Sequence, residues 1–383
     1  MARQSKPGSN RPHPVAKRVE KEPEIESMAS VPSGSILLNL ACSDSYRAAF
    51  QLGRMVNLIG DSSSGKTYLA LEMLAQCCQR KEFDNHRIIY DDAEKALSMD
   101  IRECFGAELD ERVEFPHYKK KRNMSPIGAR AAYEMVDLDA SETAEDFHFN
   151  VLDALEKGPC IYVLDSADAL TAEQDDDKIE EMREARAKGN DTTGSYRMAK
   201  PKAFSNLLPS IVGDLEESQS FLLIISQTRA NIDPGSFEKR TRSGGKALKF
   251  YASHEIWLAV RKGLQQKVKG ASDKNRNVGS SIVAKVSKNK LTGKSRTVEF
   301  DHRHGYGCDD IQSAIDFLIA EKGGMTKSAA KVTWRGEVYN TTNQLIDAIE
   351  DGNMEKLLFQ DVQRRWLEIE EELKPNRKPK YGG

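Results

Sequence analysis

A glycine-rich loop between an apolar strand and an amphipathic helix constrains this chain more than any other feature. The apolar run 55–59 leads into GDSSSGKTY, which has the full spacing of a phosphate-binding loop, Gly60-x-x-x-x-Gly65-Lys66-Thr67. The helix expected over 66–80 then repeats apolar side chains on one face, at Leu69, Met73, Leu74 and Cys77. A strand, a glycine loop and a helix in this order are typical of an α/β sheet.

The residue types of this loop suit the binding of a nucleoside triphosphate. The glycines allow the backbone N–H groups to converge on an anion at the start of a helix. Lys66 is expected to reach the β- and γ-phosphates, and Thr67 to bind Mg²⁺. The alternative is a glycine-rich turn without a ligand. We expect ATP to contact ten residues: Gly60, Asp61, Ser62, Ser63, Ser64, Gly65, Lys66, Thr67, Tyr68 and Asp165.

Three polar side chains at the ends of other predicted strands suggest hydrolysis of the nucleotide. Asp165 follows the apolar run CIYVL and is expected to join Thr67 as a Mg²⁺ ligand, unless it is only a helix cap. Glu94, in IIYDDAEKAL, is the candidate to polarise the attacking water; the alternative is a solvated acidic loop. Gln227 ends LLIISQ and is expected to sense the γ-phosphate and move the loop that follows.

The alternation of strands and helices predicts a mostly parallel, twisted central sheet flanked by helices, with later strands antiparallel. We place the other strands at 87–90, 160–164, 221–226, 254–260, 282–289 and 297–302, and a second helix at 201–217. Composition divides the chain into a flexible arm, a core, a small α+β domain and a basic tail, at 1–30, 31–305, 306–373 and 374–383.

The composition of the chain indicates the cellular compartment in which we expect it. The six cysteines show no metal-binding spacing, which favours a reducing compartment. No apolar run approaches the ~18 residues of a membrane span, and the first residues are basic without an apolar segment. We therefore expect a cytoplasmic protein, in a bacterium or a phage-infected host, with no membrane partner. The net charge of −2 does not identify a partner, because its distribution matters more than its sum.

Several segments together resemble the RecA family of recombinases. They are VPSGSILLNLA with GRMVNLIGDSSSGKT, YDDAEKAL, YVLDSADALT, SGGKALKFYASHEIWLAVRK and AKVSKNKL. The resemblance covers about residues 31 to 373 and implies a RecA-like P-loop ATPase core with a small C-terminal domain. The chain length and the divergent termini favour a phage-type relative, as in the UvsX group.

The resemblance assigns roles to single residues. Glu94, Lys66 and Gln227 match the family's nucleotide site, and Lys288 with Lys290 matches a lysine pair that reaches the γ-phosphate of the neighbouring subunit. Two cations supplied by a neighbour would stabilise charge on the transferred phosphoryl group. Without the family, these lysines fit a solvated strand or a nucleic-acid contact equally well. Phe250 matches an interface aromatic, although a core position is the simpler explanation of a phenylalanine.

Two loops are expected to hold DNA. The loop 228–245 is net basic and rich in small residues, which suits a segment that becomes ordered on a phosphate backbone. Met198 falls where the family has an apolar wedge of the first loop, and Ile232 matches the wedge between base triplets. The predicted DNA contacts are Met198, Arg229, Ile232, Arg240, Arg242, Ser243, Gly244 and Gly245.

The chain also departs from the family's pattern. Ser98 and Ile101 replace the expected adenine contacts, residues 174–196 carry a charged insertion, and no convincing N-terminal packing helix precedes residue 28.

The resemblance implies a DNA-dependent ATPase that forms filaments on single-stranded DNA and promotes pairing with duplex DNA in recombination and repair. Its partners would be both forms of DNA, further copies of itself and a single-strand-binding protein or loading mediator. The alternatives are an accessory ATPase without strand exchange and a ring-forming helicase.

Overall fold

The computed structural model describes residues 30–116, 118–120, 133–135, 141–172, 175, 199–230, 240–242, 245–267, 274–377 and 380. The expected arm at 1–30 lies outside these residues except for its last position. Four predicted DNA contacts also lie outside them, namely Met198, Ile232, Ser243 and Gly244.

Helices and strands alternate through the first two thirds of the chain. The helices of the described residues are α1 Ile36–Ser43, α2 Lys66–Cys78, α3 Ile101–Phe105, α4 Ala107–Arg112, α5 Ala144–Glu156, α6 Ala199–Glu217, α7 Gly245–Tyr251, α8 Asp310–Ala320, α9 Thr342–Asp351 and α10 Glu355–Glu372. The strands are β1 Arg54–Gly60, β2 Arg87–Asp92, β3 Val113–Glu114, β4 Tyr118–Lys120, β5 Tyr133–Met135, β6 Cys160–Asp165, β7 Phe221–Ala230, β8 Arg240–Arg242, β9 His254–Lys267, β10 Asn275–Asn289, β11 Arg296–Arg303, β12 Gly307–Cys308, β13 Met325–Ser328, β14 Lys331–Trp334 and β15 Glu337–Tyr339.

One large sheet organises the molecule. Its strand order is β12-β11-β10-β9-β1-β7-β6-β2-β3, with β8 added to β7. Six neighbouring strands pair in parallel, in the spatial order β9, β1, β7, β6, β2 and β3. The strands β10, β11 and β12 continue the sheet beyond β9 with antiparallel pairing. The predicted mostly parallel sheet with antiparallel later strands is therefore confirmed. We call the side where β1, β2, β6 and β7 end the carboxyl edge of the sheet.

Apolar side chains cover both faces of this sheet. Val56 and Leu58 point into a cluster with α1 and α2, whereas Met55 packs on the other face with Tyr162 and Phe204. Strands buried on both faces need nearly continuous apolar runs, which explains why β1, β6 and β7 stand out in the sequence. Burying each large side chain of this kind contributes about 1.5–3 kcal/mol. The carboxyl edge is therefore attached to a rigid, doubly covered sheet.

The C-terminal residues form a small antiparallel sheet, β13–β14–β15, with α8, α9 and α10 beside it. Asp361 is buried and accepts hydrogen bonds from Trp334 Nε1 at 2.9 Å and from the guanidinium of Arg335 at 2.8 and 2.9 Å. Ile315 and Val362 belong to the same apolar cluster as the first face of the main sheet. The small domain is thus packed against the core.

The structure differs from the sequence-based expectations in two elements that matter below. The sequence does not predict helix α1, because ILLNLACS is apolar on all sides and has no clear period; six of its residues are apolar and all six are buried. Strands β9 and β10 are longer than predicted. Most residues of their extensions are exposed and polar, so neither apolar alternation nor burial indicates them. Among the helices of the described residues, none is long and apolar enough to cross a membrane.

Arg296 joins three parts of the chain where α10 meets the core. Its Nη2 atom lies 2.6 Å from Asp44 and 2.9 Å from Glu370, and its guanidinium lies 5.3 Å from the centre of the Trp366 ring. The side chain is only 8% exposed. Burial acts to raise the pKa of Glu370, but hydrogen bonds from Arg296 and Lys294 outweigh it, so the pKa is lowered. The charges in this cluster therefore depend on one another.

We expect Arg296→Met to lower the free energy of unfolding by about 3 kcal/mol, because two partly buried carboxylates would lose the buried one of the two cations they share and keep only the exposed Lys294. Urea unfolding followed by circular dichroism measures this loss. The control is Arg54→Ala, which removes an exposed ion pair of 3.1 Å with Glu216 and should cost under ~1 kcal/mol. Equal losses in the two variants would show that the Arg296 cluster has no special role.

Candidate nucleotide-binding site

The phosphate loop leaves β1 at the carboxyl edge and ends at the first residue of α2. Ser63 and Gly65 have φ angles of 61° and 88°, which curl the backbone between the strand and the helix. A Cβ atom on Gly60 would lie 2.3 Å from Ser64 Oγ, and one on Gly65 would lie 2.9 Å from Ile282 Cδ1. Both glycines are therefore required by close packing, and Gly65 also by its conformation.

Lys66 is held inside this loop. Its side chain is almost fully buried, and Nζ donates to the carbonyl oxygens of Gly60 at 3.0 Å and Asp61 at 2.7 Å. Burial lowers the pKa of Lys66, and the nearby acids, Asp165 first among them, oppose this without cancelling it. A buried ammonium satisfied by two neutral carbonyls would gain by exchanging them for charged phosphate oxygens. The loop thus fits a phosphate group.

Thr67 and Asp165 meet beside the loop. Thr67 Oγ1 donates to Asp165 Oδ2 at 2.5 Å, and the hydroxyl of Tyr90 donates to the same oxygen at 2.7 Å. Burial raises the pKa of Asp165, while these two hydrogen bonds act to lower it. A hydroxyl and a buried carboxylate are the hard oxygen ligands that Mg²⁺ prefers. The donor set therefore fits the predicted magnesium ion.

Glu94 and Gln227 form the second part of the site. Glu94 Oε1 accepts hydrogen bonds from Ser166 Oγ at 2.5 Å and from Gln227 Nε2 at 3.1 Å. The backbone N–H of Gln227 donates to Asp168 Oδ2 at 2.6 Å. These residues line an open cleft of about 430 Å³, whose walls are Ala93, Glu94, Asp168, Ala169, Gln227 and Thr228. The cleft places a carboxylate where a water molecule has room.

The neighbouring acids of the same segment have structural partners. Asp91 accepts hydrogen bonds from the hydroxyl groups of Tyr162 and Ser141 at 2.7 and 2.6 Å. Asp92 accepts from the backbone N–H groups of Ala96 and Leu97 and so shapes the turn that carries Glu94. Of the three acids in YDDAE, Glu94 alone lines the cleft.

Four contacts of the site were not found from the sequence. Tyr90 on Asp165 and Ser166 on Glu94 are two of them, and Asp168 on the Gln227 backbone is the third. In the fourth, Thr228 Oγ1 donates to the Asp61 carboxylate and so joins the phosphate loop to β7. The register of β1 and β7, in which Gly60 lies opposite Gln227, explains this contact. Ser166 and Asp168 lie one and three residues after Asp165, so their position just beyond a strand end was the available signal.

Lys288 and Lys290 lie far from the phosphate loop of their own chain. Leu258 of β9 lies opposite Gly60 on one side and Ala284 of β10 on the other. Because β10 runs antiparallel, Lys288 lies opposite Glu255, three residues before Leu258 on β9, which displaces it toward the opposite edge by roughly 10 Å along the strand. It donates to the carbonyl oxygens of Lys249 and Phe250, and Lys290 Nζ lies 3.5 Å from the latter. The Phe250 side chain is 71% exposed beside them.

The described residues among the predicted DNA contacts lie in, or just after, a hairpin at the carboxyl edge. Strand β7 continues beyond Gln227 to Ala230, and β8 returns antiparallel to it, with Thr228 opposite Arg242 and Ala230 opposite Arg240. Arg229 also lies in this segment of β7. Gly245 then begins α7 with a φ of 74°, and a Cβ atom there would lie 3.0 Å from Pro201 Cβ. The hairpin therefore starts at Thr228, which also lines the cleft.

Comparison with known proteins agrees with this architecture. A family model described as the RecA N-terminal domain matches residues 144–309. The chain is 28% identical over 307 residues to Protein RecA of Oleidesulfovibrio alaskensis, which covers 79% of this chain and 73% of that protein. It is 27% identical over 350 residues to Protein RecA of Francisella philomiragia, which covers 90% and 84%.

Protein RecA 2 of Myxococcus xanthus is a further relative, 26% identical over 316 residues that cover 82% of this chain and 74% of that protein. The assignment to the phage-type UvsX group has no support from these three relatives and stays a prediction. The chain is therefore similar to RecA proteins over most of its length, and the RecA family model matches its central part.

Proposed function

We propose that this protein is a DNA-dependent ATPase that polymerises on single-stranded DNA and promotes homologous pairing and strand exchange in recombination and repair. One observation carries the proposal: the phosphate loop and the pair Lys288 and Lys290 lie at opposite edges of the same sheet. The lysines can therefore act on a triphosphate only if it is bound by another copy of the chain. Repeating this contact head to tail builds a helical filament or a ring.

Within one subunit, the chain's own residues bind the triphosphate and prepare the water. Lys66 and the loop N–H groups would hold the phosphates, and Thr67 and Asp165 would hold Mg²⁺. The bound ion would neutralise charge on the phosphate oxygens. Glu94 accepts a proton or a hydrogen bond from the attacking water in the cleft. Ser166 and Gln227 orient its carboxylate from two sides.

The neighbouring subunit would supply the remaining charge. Lys288 and Lys290 project from the end of β10 with the exposed ring of Phe250 beside them. Two ammonium groups aimed at the γ-phosphate stabilise the charge that develops during phosphoryl transfer, as cations supplied in trans do in other nucleotide hydrolases. Hydrolysis would then depend on assembly, and Phe250 would bury its apolar surface in the same interface.

DNA binding is joined to the nucleotide through Gln227. A γ-phosphate that competes for the Gln227 amide would displace it from Glu94 and shift the start of the β7–β8 hairpin. That hairpin carries Arg229, Arg240 and Arg242, which we propose as phosphate contacts. We further propose Met198 and Ile232 as wedges between bases, and the N–H groups of Ser243, Gly244 and Gly245 as contacts to one phosphate. ATP would thereby control the affinity for DNA.

The decisive experiment combines kinetics with imaging. ATP hydrolysis should rise steeply with added single-stranded DNA and with protein concentration, and electron micrographs with a non-hydrolysable ATP analogue should show helical filaments. Lys66→Ala, which removes the phosphate-binding ammonium, is the matched negative control. Closed hexamers that unwind forked duplexes would favour a helicase instead. DNA binding without strand exchange would favour an accessory ATPase. We propose a cytoplasmic location for either protein.

We expect Glu94→Gln to lower the rate of hydrolysis by a factor of about 10²–10⁴, because the amide cannot accept a proton from water. The amide is nearly isosteric, so binding of ATP and of DNA should change little. Fluorescent nucleotide titration and a phosphate-release assay measure the two quantities. Asp91→Asn is the comparison, because Asp91 has structural partners and lies outside the cleft. Full activity of the Glu94 variant would exclude the role proposed for it.

Mixing two inactive variants tests the contribution of the neighbour. Lys288→Ala with Lys290→Ala should leave nucleotide binding intact and abolish most hydrolysis. Combined in equal amounts with Glu94→Gln protein, it should recover activity at about one site in four, because random head-to-tail assembly pairs an intact Glu94 with an intact lysine pair at that frequency. If the lysines acted on their own subunit's nucleotide, the mixture would be as inactive as its components.

A further inference from the structure

Strand β10 contains an extra residue just before the lysine pair. Val286 lies opposite Ile256 of the neighbouring strand β9. Two positions further along β10, Lys288 lies opposite Glu255, which is only one position away from Ile256, so Ser287 is an additional residue between them. An extra residue of this kind is a β-bulge, which redirects the side chains that follow it.

The bulge decides on which face of the sheet Lys288 lies. Residues directly opposite each other in an antiparallel pair share a face, so Lys288 lies on the face of Glu255, where its ammonium group donates to two carbonyl oxygens at the end of α7. Asn289 lies on the other face and donates to the carbonyl oxygen of Cys42 in α1 at 2.8 Å. With regular pairing, Lys288 would lie opposite His254 and point toward α1 instead.

The side chain of Glu255 anchors the bulge from β9. The residue is only 2% exposed, and its Oε1 atom accepts hydrogen bonds from Ser287 Oγ at 2.9 Å and from Trp257 Nε1 at 3.0 Å. Ser287 Oγ also lies 3.1 Å from Trp257 Nε1 and 3.2 Å from the carbonyl oxygen of Glu255. One buried carboxyl oxygen therefore joins the two strands at the position of the extra residue.

We propose that Glu255 is a positioning residue for ATP hydrolysis, which holds the bulge at Ser287 and thereby directs Lys288 toward the nucleotide of the neighbouring subunit. Because Glu255 is buried, it acts through Lys288 and not on the nucleotide itself. This inference rests on the proposed function, since Lys288 reaches a triphosphate only in that assembly. It adds that a carboxyl group of one chain controls hydrolysis in the next.

A purely structural role of Glu255 is the competing explanation. A buried carboxyl group needs hydrogen-bond partners, and Ser287 and Trp257 would then serve only to satisfy it. Replacing Glu255 would in that case destabilise the whole chain, so nucleotide binding and hydrolysis would weaken together. Our proposal predicts instead that hydrolysis falls while the subunit still binds its own nucleotide, because Glu255 pairs with β1 three residues before Gly60.

The first experiment measures nucleotide binding and hydrolysis separately, with single-stranded DNA present. Glu255→Ala should lower the rate of hydrolysis roughly 10- to 100-fold, because displacing a reacting group by ~1 Å can cost about 10²-fold. Glu255→Gln should keep most of the rate, since its amide oxygen still accepts both hydrogen bonds. Ser287→Ala changes an exposed residue, so it should fold normally and show a smaller loss of the same kind. Fluorescent nucleotide titration should give an unchanged affinity in all three variants.

The matched control is Glu299→Ala. Glu299 of β11 also accepts a hydrogen bond from a serine of β10, namely Ser281 Oγ at 2.8 Å, and it pairs with Arg261. Ser281 lies six residues from Ser287, roughly 20 Å along the strand, so this bond cannot affect the bulge. The control variant should hydrolyse ATP at the rate of the unmodified protein.

A second experiment shows on which nucleotide Glu255 acts. Glu255→Ala protein mixed in equal amounts with Glu94→Gln protein should recover hydrolysis at about one site in four, as we expect for the lysine variant. Mixed with the variant that lacks Lys288 and Lys290, it should recover none, because both defects lie on the same side of the interface. A destabilised chain would recover activity in neither mixture.

Four results would each overturn the inference. They are equal losses in Glu255→Ala and Glu299→Ala, a glutamine variant as impaired as the alanine variant, full hydrolysis by Ser287→Ala, and no recovery of Glu255→Ala with Glu94→Gln. The lysine variant keeps the two failures distinguishable. If it recovers activity with Glu94→Gln while Glu255→Ala does not, only this inference fails. If neither recovers, the proposed function fails and the inference fails with it.

Discussion

The parallel pairing of β1, β7, β6 and β2 is the constraint on which the site depends. Adjacent strands lie about 4.8 Å apart, so four strand ends fall within roughly 15 Å of one another. The register places Gly60 opposite Gln227 and Asp92 opposite Asp165. A slip of one residue would turn Gln227 to the other face of the sheet and remove its hydrogen bond to Glu94. The apolar faces that bury these strands therefore also fix the geometry of the catalytic groups.

The charges of the site are balanced only when ligands are counted. Burial lowers the pKa of Lys66. Four acids, Asp165, Glu94, Asp168 and Asp61, oppose this effect without cancelling it. These acids outnumber the base, so an anionic triphosphate alone would meet repulsion. A triphosphate that arrives with a divalent cation removes this repulsion at Asp165. The lysines of a neighbouring subunit would add positive charge on the far side.

Local sequence patterns predict the elements whose structure depends mainly on residues that are close together in the sequence. The strands are recognisable because burial on both faces requires apolar runs, and the loop because its glycines have fixed spacing. The contact of Gln227 with Glu94 joins residues 133 positions apart, and no local pattern indicates it. Likewise, α1 is not predicted because uniform burial removes the helical period, and the extensions of β9 and β10 are not predicted because exposure removes the strand period. Both elements are missed because each lies almost entirely in one environment, the buried core for α1 and solvent for the extensions.

In the proposed assembly, helix α7 would join the DNA-binding hairpin to the subunit interface. It begins at Gly245, three residues after β8 ends, and its seven residues span only about 10 Å. At its other end, the carbonyl oxygens of Lys249 and Phe250 accept the ammonium group of Lys288, which also suits the negative end of the helix dipole. The hairpin is thus connected at β7 to its own cleft through Gln227, and at α7 to the lysine pair. In that assembly, DNA that moves the hairpin would act on two nucleotides, one on each side of the subunit.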